Sequence, residues 1–142
     1  MLADKGYAGD VNVREAWRIL EEDPDAMLID VRTVAEWVFV GLPDLGRLRK
    51  SVVCVQWQQW PQMAVNREFV SHVAAEGVSR DRPLFLLCRS GHRSRDAAVA
   101  LTAAGYGPCY NIAGGFEGDL DGIKHRGTKN GWKVAGLPWV QQ

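Results

Sequence analysis

A cysteine lies at the point where an apolar stretch of the chain ends. Residues 84–94 read LFLLCRSGHRS, so Cys88 is followed directly by the polar loop Arg89–Ser94. The apolar residues before it predict a buried strand over Leu84–Leu87, and the alanine-rich segment after it predicts a helix over Ser94–Ala104. A loop between a strand and a helix can direct several backbone N–H groups toward one point.

The residues around Cys88 favour its ionised form. The loop amides, the positive end of the helix and the arginines at positions 89 and 93 all stabilise a thiolate relative to a thiol. Gly91 suits a sharp bend, and Ser90 and Ser94 can donate hydroxyl hydrogen bonds. A structural cysteine would need apolar neighbours on both sides, which Cys88 lacks. We therefore interpret Cys88 as a nucleophile in an anion cradle, beside which His92 either acts as an acid or faces solvent.

The elements that must position this loop follow from the pattern of apolar residues. Short apolar runs that predict buried strands alternate with segments that predict helices. Asn12 with Glu15, and Thr33 with Glu36, have the spacing of capping boxes for the first two helices. This alternation is typical of an α/β protein with a parallel sheet and helices on both faces. The predicted strands are Met27–Val31, Val52–Val55, Leu84–Leu87 and Tyr110–Ile112, and the predicted helices are Arg14–Glu22, a short one through Trp37, Arg67–Glu76 and Ser94–Ala104.

Three groups of polar or aromatic residues follow the predicted strands. Asp30 and Arg32 end the first strand, Trp57 and Trp60 follow the second, and the loop of Cys88 follows the third. Because the carboxyl ends of parallel strands lie at one edge of a sheet, we expect these groups to share one rim. Trp57 and Trp60 could cover a pocket mouth, meet a partner protein or pack beneath their loop.

Length and composition restrict the classes of protein that remain. The chain has 142 residues and a formal net charge of zero, which predicts one domain and gives no support for nucleic-acid binding. Without a long apolar stretch or a signal peptide, we predict a cytoplasmic protein that does not bind membranes. The three cysteines lack a CxxC spacing, which argues against a disulfide framework and a zinc site. We expect residues 1–10 to form a flexible arm and residues 11–142 the domain, with 117–142 as a tail packed on it.

Three segments together resemble a known family. The loop from Cys88 to Ser94 (Cys88-Arg89-Ser90-Gly91-His92-Arg93-Ser94) resembles the active-site loop of the rhodanese-like sulfurtransferases. Residues 28–37 resemble the amino-terminal signature of that family, and residues 111–116 resemble its closing strand and turn. The resemblance implies a rhodanese-like α/β fold with a central five-stranded parallel sheet and helices on both faces. It also implies that Cys88 cycles between thiolate and persulfide without a metal or organic cofactor, and that Asp30 and Arg32 support the loop.

The activity that the resemblance implies is transfer of a sulfane sulfur from a donor such as thiosulfate to cyanide or a thiol. Small sulfur-containing anions or thiols are the expected partners, and a protein sulfur acceptor is a further candidate. Residues Arg89 to Ser94 would bind the substrate. A cysteine-dependent phosphatase, a persulfide carrier and a non-catalytic binding module stay open as alternatives.

One segment departs from the family pattern. The histidine expected soon after Glu36-Trp37 is missing, and a basic stretch, Gly46–Lys50, follows. We expect the fold to accommodate residues 38–50. The sequence does not specify how this segment shapes the rim near the site. Loop length argues against the phosphatase alternative, because tyrosine phosphatases place five residues between cysteine and arginine and this chain has four.

Overall fold

The computed structural model describes residues 6–141, and its centre is a sheet of five parallel strands. The strands are β1 (Gly9–Val11), β2 (Met27–Asp30), β3 (Leu42–Pro43), β4 (Val53–Cys54), β5 (Gln58–Gln59), β6 (Ala64–Val65), β7 (Leu84–Leu87), β8 (Cys109–Ile112) and β9 (Trp139–Val140). The central sheet has the order β1-β8-β7-β2-β4, and every pairing within it is parallel. The predicted five-stranded parallel sheet is confirmed. Two small antiparallel pairs, β3 with β9 and β5 with β6, lie outside it.

Within residues 6–141, four α-helices connect the strands: α1 (Val13–Glu22), α2 (Val34–Phe39), α3 (Phe69–Ala75) and α4 (His92–Ala103). Asn12 accepts a hydrogen bond from the Glu15 amide at 2.9 Å, and Thr33 with Glu36 forms both bonds of a capping box, as their spacing predicted. Helix α4 begins at His92, earlier than predicted. Among the described residues, no helix combines the length and apolar character of a membrane span.

The hydrophobic core lies on both faces of the central sheet. Alternate residues of a strand point to opposite faces, so β2 and β7 contribute to two separate clusters. Ile29, Leu84 and Leu86 belong to the cluster that contains buried side chains of α3 and α4. Leu28 and Phe85 belong to the cluster that contains the buried face of α1. Helices therefore cover both faces, as predicted.

The predicted extent of the N-terminal arm is wrong. Gly9 and Asp10 belong to β1, which pairs in parallel with β8, and Tyr7 is only 6% exposed within the core cluster of α3 and α4. The sequence Gly-Asp-Val has little strand propensity of its own, so the hydrogen bonds to β8 define this strand. Residues 1–5 of the predicted arm lie outside the described residues.

The segment 117–141 packs on the face of the sheet that α1 covers. Trp132 is fully buried there, and its ring lies edge-on to that of Trp17 with centroids 5.8 Å apart. The indole N–H of Trp132 donates to the carbonyl of Pro138 at 2.7 Å. Strand β9, which the sequence did not predict, then pairs with β3.

Residues 38–50 contact this C-terminal segment rather than the Cys88 loop. Gly41 has a φ of 112°, and a Cβ atom there would lie 2.7 Å from the carbonyl oxygen of Val140. Glycine therefore permits the close approach that joins β3 to β9. The unusual segment thus joins the end of α2 to the C-terminal segment.

Lys50, at the end of residues 38–50, stabilises the C-terminal end of helix α1. The ammonium group of Lys50 donates to the carbonyl oxygens of Leu20, Asp23 and Ala26 at 2.7 to 2.8 Å. A cation that binds the last carbonyls of a helix satisfies acceptors that have no intrahelical partner. Burial lowers the pKa of Lys50.

We expect Lys50→Met to lower the free energy of unfolding by about 1–3 kcal/mol, because these carbonyls lose a charged donor while the apolar stem is kept. Urea denaturation measures the change. Arg47→Met, at an exposed position of the same segment, is the matched control and should change stability by less than about 0.5 kcal/mol. Equal losses in the two variants would contradict a specific role for Lys50.

Candidate active site

The sulfur of Cys88 lies at the carboxyl end of β7 and at the N-terminus of α4. The Cys88 residue is 1% exposed. The backbone N–H of Gly91 donates to Sγ at 3.1 Å, and the hydroxyl oxygen of Ser94 also lies 3.1 Å from Sγ. Gly91 is the residue before α4 and has a φ of 117°, which a residue with a side chain rarely adopts. Two donors and the positive end of a helix therefore converge on one sulfur, an arrangement that stabilises its anionic form.

An open pocket of about 300 Å³ gives access to this sulfur. The β5–β6 hairpin contributes Gln58 and Met63 to its wall, and α2 contributes Glu36. His92 is exposed at the pocket. The full lining consists of Glu36, Gln58, Met63, Cys88, Arg89, Ser90, His92 and Arg93.

Arg93 is bound by a carboxylate of α2. Its Nη1 and Nη2 atoms lie 2.7 and 3.0 Å from the two oxygens of Glu36. The same carboxylate accepts hydrogen bonds from the backbone N–H and the hydroxyl of Thr33, which caps α2. Burial by itself raises the pKa of Glu36, but the hydrogen bonds and charge of Arg93 outweigh it, and the pKa is lowered. The ion pair therefore links the Cys88 loop to α2 and neutralises much of the Arg93 charge.

Arg89 differs from Arg93 in its surroundings. It is exposed at the pocket, and within residues 6–141 no hydrogen bond joins its guanidinium to another group. Of the two loop arginines, Arg89 is thus the one whose charge is available to an anion in the pocket.

Asp30 and Arg32 form a buried ion pair beneath the loop. Both are 0% exposed, and Arg32 binds the carboxylate through Nε at 3.0 Å and Nη2 at 2.7 Å. Nη2 also donates to the carbonyl of Gly41 at 2.7 Å, and the guanidinium lies 4.2 Å from the ring centroid of Phe116. The N–H of Phe116 in turn donates to the carbonyl of Cys88 at 2.8 Å. The pair contacts the scaffold of the loop and does not line the pocket.

A close backbone approach also supports the loop. Gly115 has a φ of 61°, and a Cβ atom there would lie 2.4 Å from the carbonyl oxygen of Cys88. Any side chain at this position would therefore displace the loop.

The two tryptophans after β4 have different environments. Trp57 packs edge-on against Phe69 with ring centroids 5.2 Å apart, so it lies beneath the rim. Trp60 is 55% exposed, between β5 and β6. Neither side chain lines the pocket.

The other two cysteines lie away from the pocket. All three thiols are free. Burial raises the pKa of Cys54 to about 12, and burial also raises the pKa of Cys109. Both are therefore protonated thiols near neutral pH, as expected of core residues.

Several residues near the sulfur were not singled out from the sequence. The Ser94 hydroxyl contacts Oδ1 of Asn111, whose Nδ2 atom donates to Asp10 at 3.0 Å. Asp10 was assigned to the arm, and Asn111 was interpreted only as part of a family-like strand. A polar residue within an otherwise apolar strand was the available signal, because such residues require a buried partner.

The strand order and the cysteine loop at the end of β7 define a rhodanese-like fold. Residues 8–142 match the family described as the STR4 middle domain, and the chain belongs to that family. An uncharacterized protein of Rickettsia conorii is 38% identical over 128 residues, which cover 88% of this chain and 91% of that protein. A protein of Allochromatium vinosum named sulfurtransferase is 29% identical over 97 residues, which cover 68% of this chain and 74% of that protein.

Solved structures share the fold. The crystal structure of Rv0390 from M. tuberculosis has a TM-score of 0.87 and 45% identity, and the match covers 96% of this chain and 99% of that one. The polysulfide-sulfur transferase homodimer from Wolinella succinogenes has a TM-score of 0.66 and 22% identity, and the match covers 99% of this chain and 83% of that one. At this identity the second match shows the fold alone.

The Glu36–Arg93 pair predicts a pH dependence of stability. Because the folded-state pKa of Glu36 is lowered from about 4.5, the pair stabilises the fold above that pH, and the contribution is lost as the pH falls through the folded-state value. We expect Glu36→Gln to lower Tm more at about pH 6.5 than at about pH 3.5. Glutamine can still cap α2, so the difference reports on the ion pair. A Tm difference that does not change with pH would contradict this account.

Proposed function

We propose that the protein is a sulfurtransferase that moves a sulfane sulfur from an anionic donor, such as thiosulfate, to a thiophilic acceptor through a persulfide on Cys88. The convergence of the Gly91 N–H, the Ser94 hydroxyl and the α4 N-terminus on the sulfur of a pocket-lining cysteine carries this proposal. The rhodanese-like fold and similarity to a protein named sulfurtransferase support it.

The first half-reaction loads the cysteine. The Cys88 thiolate attacks the outer sulfur of thiosulfate, and a bond between the two sulfur atoms forms while the bond from the outer sulfur to the sulfite sulfur breaks. Sulfite leaves with the electron pair of that bond. No dedicated base is required, because the hydrogen-bond donors and the helix N-terminus already favour the thiolate.

The second half-reaction releases the sulfur. An acceptor such as cyanide attacks the outer persulfide sulfur, and the sulfur–sulfur bond breaks. Its electron pair returns to Cys88, which becomes a thiolate again, and thiocyanate leaves. The donors on Sγ stabilise the negative charge of this leaving group as it develops.

Electrostatics assign different roles to the two loop arginines. Arg89 binds the donor anion, because its guanidinium is exposed at the pocket. Arg93 positions the loop through its ion pair with Glu36. The Glu36 carboxylate thereby reduces the positive charge on the side of the pocket that Arg93 lines. The pocket therefore holds a small anion mainly from the Arg89 side.

The phosphatase alternative is disfavoured by the size of the loop. Four residues separate Cys88 from Arg93. A tetrahedral phosphate must place three equatorial oxygens above the sulfur and bind each to several donors, which requires a wider ring than a single outer sulfur does. A persulfide carrier differs from the proposed enzyme in kinetics, since it loads sulfur once without turnover to free cyanide.

Thiosulfate:cyanide transfer tests the nucleophile. Cys88→Ser should lose activity by about a thousandfold or more, because a hydroxyl is not ionised in this cradle. Cys54→Ser and Cys109→Ser are the matched controls, and each should keep most of the activity. Intact mass after thiosulfate treatment should show one added sulfur in the wild type, removed by a reducing agent.

Two outcomes would overturn the proposal. Transfer that survives in Cys88→Ser would exclude Cys88 as the sulfur carrier. Cys88-dependent hydrolysis of an aryl phosphate by the wild type would move the protein to the phosphatase class. Loading without turnover would instead support the carrier alternative.

Arg89→Ala should raise the KM for thiosulfate about tenfold and change the KM for cyanide less, because a charge-assisted contact to a dianion is lost. Steady-state kinetics with each substrate varied in turn measure both constants. Arg95→Ala, an exposed position of α4 outside the pocket lining, is the control and should leave both constants unchanged. An equal rise in both constants for Arg89→Ala would argue against donor binding by this residue.

A further inference from the structure

A chain of side-chain hydrogen bonds leads from the Cys88 sulfur to the edge of the sheet. The Ser94 hydroxyl oxygen lies 3.1 Å from Sγ and 2.5 Å from Oδ1 of Asn111. Nδ2 of Asn111 donates to Asp10 at 3.0 Å. Ser94 and Asn111 are 0% and 4% exposed, so water does not compete for the contact between them. The sulfur-transfer steps above use neither Asn111 nor Asp10.

The orientation of the Asn111 carboxamide is fixed by its neighbour. An ionised carboxylate only accepts hydrogen bonds, so the amide nitrogen must face Asp10 and Oδ1 must face Ser94. The Tyr7 hydroxyl donates to the same Asp10 oxygen at 2.9 Å. Burial, and then its hydrogen bond to Asp10, raises the pKa of Tyr7, so the phenol remains a donor.

The Ser94 hydroxyl has one proton and two neighbouring acceptors. When Cys88 is a thiol, its S–H can donate to Ser94 Oγ while the Ser94 proton is donated to Asn111, and every group is satisfied. When Cys88 is a thiolate or a persulfide, Sγ has no proton to donate. Sγ and Oδ1 of Asn111 then compete for the single Ser94 proton.

We propose that Asn111, held by Asp10, is a positioning residue that draws the Ser94 proton away from the Cys88 sulfur and thereby restrains ionisation of the thiol. The role of this arrangement in catalysis rests on the proposed function. During sulfur transfer, the Ser94 proton turns from Asn111 toward the sulfur when Cys88 becomes the attacking or leaving thiolate. Asn111 thus sets how much of the resting protein is in the reactive form.

Other charged groups around Cys88 are left intact by the test. Glu36 faces it from α2, the loop and α4 contribute basic side chains, and the Asp30–Arg32 pair lies beneath. The basic side chains are Arg89, His92 and Arg93. Asn111→Val and Ser94→Ala change no charged group, so a difference between these two variants reports on the Ser94 proton.

The test is a double-mutant cycle on the rate of Cys88 alkylation by iodoacetamide, followed against pH by mass spectrometry of the cysteine peptides. Asn111→Val removes the hydrogen-bond acceptor, and valine is well tolerated in a β-strand. At pH values where only part of Cys88 is ionised, we expect the variant to be alkylated about fivefold faster, which is the effect of one ordinary hydrogen bond. Ser94→Ala should slow it. Ser94→Ala with Asn111→Val should match Ser94→Ala alone, because Asn111 acts through the Ser94 proton. Cys54 and Cys109 serve as internal references.

Each outcome decides the proposal. An Asn111→Val effect that persists in the Ser94→Ala background would show that Asn111 acts through packing, and would overturn it, as would unchanged or slower alkylation. If circular dichroism shows that Asn111→Val does not fold, Asp10→Ala at the exposed sheet edge is used instead. It frees the carboxamide to turn and should accelerate alkylation by about twofold to threefold. The acceleration should be absent when Asp10→Ala is combined with Ser94→Ala, because loss of the Asp10 charge alone would act in both backgrounds. No acceleration in Asp10→Ala, or acceleration that persists with Ser94→Ala, would overturn the proposal. Alkylation needs no sulfur donor, so the cycle remains informative even if the protein transfers no sulfur.

Discussion

A buried sulfur atom that reacts as a nucleophile has almost no contact with water, so donors of the protein itself must surround it. In this chain the solvent is replaced by the Gly91 N–H, the Ser94 hydroxyl and the unpaired amides at the start of α4. These donors have fixed positions because Cys88 lies between the end of a parallel strand, β7, and the N-terminus of helix α4. The order of the sheet, with β7 between β2 and β8, places that junction in the middle of the structure.

The scaffold of the loop depends on charges that cancel in pairs. Arg32 with Asp30 beneath the loop and Arg93 with Glu36 beside it fix the geometry without adding net charge to the site. Both charges of the buried Asp30–Arg32 pair lose hydration on folding, and this cost offsets much of the attraction between them. Within residues 6–141 no partner neutralises Arg89 at the pocket, and under the proposed function its charge is the one that meets the donor anion.

The sequence predicted those parts of the site that are encoded locally. The Cys88 loop, the Asp30–Arg32 pair and the Thr33–Glu36 cap each lie within a few residues of the chain, and strand or helix boundaries orient them. Glu36 and Arg93 are 57 positions apart, and Asp10 and Asn111 are 101 positions apart. Contacts of that range depend on strand order and register, which apolar periodicity does not specify. Strand β1 was missed for the same reason, since its pairing with β8 defines it rather than its own residues.

The burial of Trp132 has a consequence for the order in which the chain can fold during synthesis. Its ring fills the cluster against which α1 packs, and strand β9 pairs with β3. On the ribosome, α1 and the neighbouring face of the sheet therefore expose apolar surface until residues 132–140 have left the exit tunnel. Exposed apolar surface of this kind is what makes a partly synthesised domain prone to aggregation. The hydrogen-bond donors to Cys88 lie within six residues of it, so they can form before that face of the sheet is covered.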